Sequence, residues 1–139
     1  NFKAKLKFLS ESSGWKFYQQ NYGDFRIYPS DNWGICFVYE YEKGLSIWKE
    51  GITIEQKEKI KEDLIGSISD FHFIDNEFHN NTTYVMAFNQ NQELMFKDED
   101  EFAWEANNTN LFDTIANILK PHLNEETRKM FLEINNKLE

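Results

Sequence analysis

Apolar and polar positions change their rhythm several times along this chain, and each change predicts an element. Over residues 1–9, Phe2, Ala4, Leu6 and Phe8 alternate with Lys3, Lys5 and Lys7. That period of two predicts an opening strand, with a short amphipathic helix as the rival reading. Residues 10–14 read as a turn. Four strand-like runs follow, over 15–21, 25–28, 33–41 and 45–52, parted by Tyr22-Gly23-Asp24, Pro29-Ser30-Asp31-Asn32 and Glu42-Lys43-Gly44. The third run is the strongest. It places Trp33, Ile35, Phe37, Tyr39 and Tyr41 on one face and Gly34, Cys36, Val38 and Glu40 on the other. Both faces are mostly apolar near its start, so it belongs in the middle of an antiparallel meander of hairpins.

The period then lengthens. Thr53 with Gln56 three residues on forms a capping box, Ile54, Ile60, Leu64 and Ile65 follow, and Gly66 stops the helix. Residues 70–78 and 82–89 read as two more strands around Asn80-Asn81, and 92–96 extends or follows that hairpin. Residues 97–105 are acidic, with Phe102 and Trp104 embedded in them. Two helices close the chain. Thr109 caps the first, whose face is Leu111, Phe112, Ile115, Ile118 and Leu119, and Pro121 ends it. Asn124 caps the second, with Glu125 and Glu126 favouring its dipole and Phe131, Ile134 and Leu138 as its stripe. The expectation is an α+β fold: a mostly antiparallel sheet with one inserted helix and two C-terminal helices, in a single globular domain over 1–139.

Composition narrows the function classes. The chain is 40% hydrophobic and 17% aromatic, enough apolar surface for a packed core. Its formal charge is -9, from 24 acidic and 15 basic side chains. Phosphate backbones and anionic lipid headgroups repel such a chain, and the lysines form no concentrated basic patch. A basic protein partner fits this balance, and so does plain solubility. Cys36 is the sole cysteine, so no intramolecular disulfide forms. A reducing, cytoplasmic setting is expected, since neither a leader nor a membrane-length apolar run is seen.

The search for chemistry returns little. His72 and His79 flank Asp75 and Glu77, but His72 and Asp75 point to opposite faces of a strand, so no metal site is expected. No Gly-x-Ser-x-Gly elbow or phosphate-binding glycine loop exists, and Cys36 sits in the central strand, where a thiol is inert. No catalytic residue and no cofactor are assigned. Glu40 and Glu42 alternate on one strand face and could meet Asp24 or Glu50 on neighbouring strands. Acid–base work would need one of them buried; a solvated face is the plainer reading. The most unusual feature is Asp98-Glu99-Asp100-Glu101 followed by Phe102 and Trp104. The acids would steer a basic partner inward and Trp104 would anchor it. The plainer reading is a solvated loop leading into a strand that buries both aromatics.

Residues 32–52 carry a resemblance. Trp33, the strand Ile35-Cys36-Phe37-Val38-Tyr39-Glu40, and Gly51-Ile52 after a hairpin resemble the C-terminal region of bacterial PD-(D/E)XK-superfamily proteins. The nuclease signature, an acid followed by Glu-x-Lys on a strand, is not met by Glu40-Tyr41-Glu42 or Glu42-Lys43-Gly44, and Glu55-Gln56-Lys57 lies on a helix. The resemblance therefore implies an accessory or recognition domain without the catalytic core. In size and charge the chain is also similar to small acidic bacterial immunity proteins. Three expectations follow. The first is a non-catalytic inhibitor or immunity-type module binding a basic partner such as a nuclease toxin through Asp98, Glu99, Asp100, Glu101 and Trp104. The second is an accessory domain of a nuclease-related or phage-defence protein, touching DNA or a cofactor through Lys3, Lys5, Lys7, Arg26 and exposed sheet aromatics. The third is an enzyme using Glu40, Glu42 or Asp24 in a sheet-lined cavity.

Overall fold

A computed structural model of the chain describes residues 1–31, 34–73, 83–89 and 91–138. The opening segment is a helix, α1 (Phe2–Ser12), and not the expected strand. Two periods compete here, since Phe2 and Leu6 satisfy both. Helical spacing carries the apolar face on to Leu9 and Ser10, and Phe2, Leu6 and Ser10 are buried while Ala4 and Phe8 face solvent. The Asn1 side chain accepts from the Ala4 amide at 2.9 Å, which caps the first turn.

The expected meander follows. Strands β1 (Lys16–Asn21), β2 (Asp24–Tyr28), β3 (Cys36–Glu40) and β4 (Gly44–Ile52) pair antiparallel in sequence order. After the intervening helix come β5 (His72–Phe73) and β6 (Thr83–Phe88), giving the sheet order β1-β2-β3-β4-β6-β5. β3 is interior, as its two apolar faces require, although it is shorter than the expected run. Trp33, the turn at Asn80-Asn81 and most of the expected strand over 70–78 lie outside the described residues. Gly23 and Gly44, at φ 76° and 79°, close the two hairpins, conformations that a side chain would strain.

Register explains the core. Phe17 stands opposite Ile27, Ile27 opposite Phe37, Phe37 opposite Ile47, and Ile47 opposite Ala87, so one apolar row crosses five strands on a single face. Helices cover that face. α2 (Ile54–Ile65) has the expected capping box: the Thr53 hydroxyl accepts from the Gln56 amide at 3.1 Å, and the Thr53 amide donates to Gln56 Oε1 at 2.9 Å. Ile60 and Leu64 join the core, while Ile54 is exposed.

The two expected C-terminal helices are present, and among the described residues a further helix precedes them. α3 (Glu99–Asn108) occupies the acidic stretch expected to be a loop, and α4 (Leu111–Leu119) and α5 (Glu125–Leu138) follow. Of the two alternatives for residues 92–96, following the hairpin is the one observed: a 3-10 turn over Gln92–Leu94 comes after β6 and leads into α3. Thr109 does not cap α4; its hydroxyl donates back to the Glu105 carbonyl at 2.7 Å and closes α3, leaving Asn110 as the residue before α4. Asn124 caps α5 as expected, accepting from the Thr127 amide at 2.8 Å.

Phe37 is the hub on the helix-covered face. Its ring lies 5.5 Å from Trp15, 5.1 Å from Phe131 and 5.8 Å from Phe71. α5 is latched to both ends of the β2–β3 connection by two further contacts: Asn135 Oδ1 accepts from the Ile35 amide at 2.9 Å, and the Arg128 Nε donates to the Pro29 carbonyl at 2.9 Å. A Cβ on Gly34 would collide with the Asn135 carboxamide, so that latch requires glycine there. On the opposite face, Tyr28, Cys36 and Val38 form a small second cluster with Tyr18 and Trp48, and the Arg26 guanidinium lies 4.7 Å above the Trp48 ring.

Because Phe37 touches β1's leading tryptophan and α5 together, Phe37→Ala should destabilise by about 3–5 kcal/mol, as large aromatic truncations in packed cores do. Urea unfolding should show a lower midpoint with an unchanged denaturant slope.

Candidate functional site

The turn end of the β1–β2 and β3–β4 hairpins meets the first turn of α3, and the acids that sequence separated come together there. A groove of about 530 Å³ runs between these elements, lined by Asp24, Glu40, Glu42 and Glu99 with Tyr22, Tyr41 and one cation, Lys43. Asp24 and Glu40 are direct partners across β2 and β3. Partners of that kind hold their Cβ atoms roughly 4.5–5.5 Å apart, so two negative groups share one small area.

Phe102 explains why α3 sits here. It is 2% exposed, and its ring packs against Phe2 at 5.5 Å, Tyr22 at 5.6 Å, Tyr39 at 5.9 Å and Tyr41 at 6.1 Å. This one side chain pins the helix to both hairpins. The Phe96 amide also donates to the Tyr41 carbonyl at 2.6 Å, which fixes the chain entering α3 beside the β3–β4 turn.

The five residues singled out in sequence have three different placements. Asp98 is the N-cap of α3, with Oδ1 accepting from the Glu101 amide at 2.8 Å. Glu99 lines the groove. Asp100 and Glu101 precede Trp104 by four and three residues, so they flank it on the outer side of the helix. Trp104 is 60% exposed, and the expectation that a strand buries it together with Phe102 is corrected: two residues apart on a helix, the rings face different ways. Acids in a first helical turn also favour the helix dipole, so they stabilise α3 whatever else they do.

Electrostatics record the crowding. Burial raises the Asp24 carboxyl above its ordinary pKa, and Arg26, with Nε 3.6 Å from Asp24 Oδ1, only partly offsets this. Burial likewise raises Glu40, with Lys43 pulling it back and Asp24 pushing it further. The Tyr41 phenol is raised first by its hydrogen bond to Glu42, then by burial and by the charges of Glu42, Glu99 and Asp98. Three acids from two elements therefore act on one tyrosine.

Other sequence candidates fall elsewhere. Cys36 is fully buried, and burial pushes its thiol up to about 12, so it stays protonated and inert. His122 Nε2 lies 2.9 Å from Asp70 Oδ1 and ties the turn before α5 to the turn before β5. Asp75, Glu77 and His79 lie outside the described residues; among the described residues no group of three or more His, Cys, Asp or Glu side chains could hold a metal ion. Lys3, Lys5 and Lys7 all ride on α1, whereas Arg26 lies over Trp48 on the other side of the sheet. No helix among the described residues is long and apolar enough to cross a membrane. Glu40 meets Asp24 on the neighbouring strand, as the sequence allows, whereas nothing in the local pattern shows that the Tyr22 and Glu42 turns converge on α3.

Two outcomes follow. Asp98→Ala should cost about 0.5–2 kcal/mol in unfolding experiments, the usual loss of a helix cap, while Asp100→Asn and Glu101→Gln stay within about 0.5 kcal/mol. Glu40 keeps its proton to higher pH folded than unfolded, so its ionisation lowers stability as pH rises through that range, and the loss is relieved as pH falls. Glu40→Gln should therefore raise the melting temperature at pH 7, and the gain should vanish below the ordinary glutamate value of 4.5.

No protein-family model, no curated protein and no solved structure matches this chain.

Proposed function

We propose that the chain is a non-catalytic protein-binding module of inhibitor or immunity type, which holds a basic partner, such as a nuclease toxin, against its acidic end. The observation that carries this reading is the convergence of Asp24, Glu40, Glu42 and Glu99 in one groove, with an exposed tryptophan flanked by Asp100 and Glu101 on the same helix as Glu99. Charge of one sign in a concave site attracts a cationic surface from a distance and raises the association rate. Trp104 and Tyr22, 60% and 49% exposed, then offer rigid apolar contacts of the kind that dominate binding energy. The architecture suits the task, since Phe102 fixes α3 to the hairpins and little rearrangement is needed on binding.

A second reading has its own support. Asp24 and Glu40 are paired across adjacent strands and both are shifted toward the protonated form, the starting point for general acid–base catalysis. The groove, however, brings no histidine, serine or cysteine beside them. The first reading uses all four groove acids, and the second uses two.

A pull-down from the source lysate tests the first reading. Wild-type protein should retain a basic protein that is released as salt is raised. A Glu42→Gln/Glu99→Gln/Glu101→Gln variant, which keeps the Asp98 cap, should bind it at least about tenfold more weakly, a loss of about 1.4 kcal/mol. Equal retention by both proteins would contradict the proposal.

A further inference from the structure

On the far side of α1 from the hairpins, α1 and α4 enclose an apolar groove that the chain does not fill. Its volume is about 440 Å³, its walls include Ala4, Phe8, Leu9 and Phe112, and Lys5 and Lys120 stand at its rim. Phe8 is 75% exposed, the most exposed large apolar side chain among the described residues. Lys5 Nζ is 5.8 Å from the centroid of the Phe112 ring, which sets a cation over the apolar wall. In a chain of net charge -9, this groove has ammonium groups and no carboxylate among its lining residues. An apolar cleft with a cationic rim selects an occupant that is apolar at its centre and acidic at its edge.

The chain itself carries such a projection. Trp104 stands out from α3 with Asp100 and Glu101 one turn before it on the same side. No residue of α3 lines the α1–α4 groove, so the groove is open to the tryptophan of another copy. Room is sufficient, since a cavity of about 150 Å³ already holds a benzene ring. We propose that Trp104 of one copy docks in the α1–α4 groove of a second copy, with Asp100 and Glu101 facing Lys5 and Lys120. In a twofold arrangement each copy gives its tryptophan and receives the other's, so the contact is made twice and closes on itself. One indole and a few rim charges per contact cover less than the roughly 1,200–2,000 Å² of stable interfaces, so the association is weak, concentration-dependent and salt-sensitive.

Because the self-contact uses Trp104, a basic partner and a second copy compete for the same surface. The groove belongs to the self-contact alone, which separates the two proposals experimentally.

Sedimentation velocity over a concentration series tests it. Wild-type protein should shift from monomer toward dimer as concentration rises, and the shift should weaken in high salt. Lys5→Glu/Lys120→Glu and Asp100→Lys/Glu101→Lys should each raise the dimer dissociation constant at least about tenfold. Their equimolar mixture should associate again, because every contact in it joins opposite charges. Far-UV circular dichroism should show both variants folded, since neither substitution touches the Asp98 cap of α3. The Lys5→Glu/Lys120→Glu variant, altered only in the α1–α4 groove, should still retain any basic partner of the acidic surface. A monomer at every concentration, association indifferent to both variants, or a mixture that stays monomeric overturns the proposal. So does a strictly monomeric protein whose groove binds dodecanoate, which assigns the groove to a small anionic amphiphile.

Discussion

One-sided burial of the sheet is the constraint from which the other features of this molecule follow. The row Phe17, Ile27, Phe37, Ile47 and Ala87 is apolar across five strands, and register puts all of it on a single face. So broad an apolar face must be covered, and among the described residues five helices do so, while the opposite face buries only the small cluster around Cys36. Phe37 joins that row to Trp15 and Phe131, and the Asn135 and Arg128 latches hold α5 over it. With the helices committed to one side, the loops at the hairpin ends become the place where strand turns and a helix start meet. The acidic groove is built there.

That groove carries a stability penalty. Asp24 and Glu40 are held half-buried and adjacent, each displaced toward its neutral form, while a single lysine lines the same groove. Chains tolerate like charges in one place when something else gains from them, because self-repulsion and desolvation both oppose the folded state. The packing of Phe102 against Phe2, Tyr22, Tyr39 and Tyr41 supplies the compensating contacts. Structure and charge are thus separated within α3: Phe102 faces inward and holds the helix, Glu99 faces the groove, and Trp104 faces outward with its acids. A reading as a binding surface gives each of these placements a purpose.

Local chemistry made much of the fold legible. The Thr53 capping box, the Asn124 cap, the interior position of β3 and the hairpin glycines are each set by residues within a few positions of one another. The failures share a cause. Alternation over four apolar residues of α1 could not be told from helical spacing until Leu9 and Ser10 were seen to be on the core side. The acidic run reads as a loop because four charges hide the helical pair Phe102 and Ala106, and because the same Asp98 that adds to the charge run is also the helix cap. Thr109 closes the helix behind it, and only the position of α4 decides between that role and capping the next helix. The candidate site is legible in part: strand alternation already allows Glu40 to meet Asp24, but nothing local brings Glu99 to them. Bringing residues 24, 40, 42 and 99 together depends on strand register and on where Phe102 lands, and neither is encoded locally.

The claim that the assembled groove, and not acidity in general, recognises cationic partners is tested most directly by titrating the isotope-labelled chain with an oligo-arginine peptide and following amide chemical shifts. The account predicts salt-sensitive changes concentrated at Tyr22, Gly23, Tyr41, Glu42, Glu99 and Trp104, with the acidic surface of α2 at Glu55, Glu58 and Glu62 left unmoved. Shifts spread evenly over α2 and α3, or absent from the groove, would contradict it.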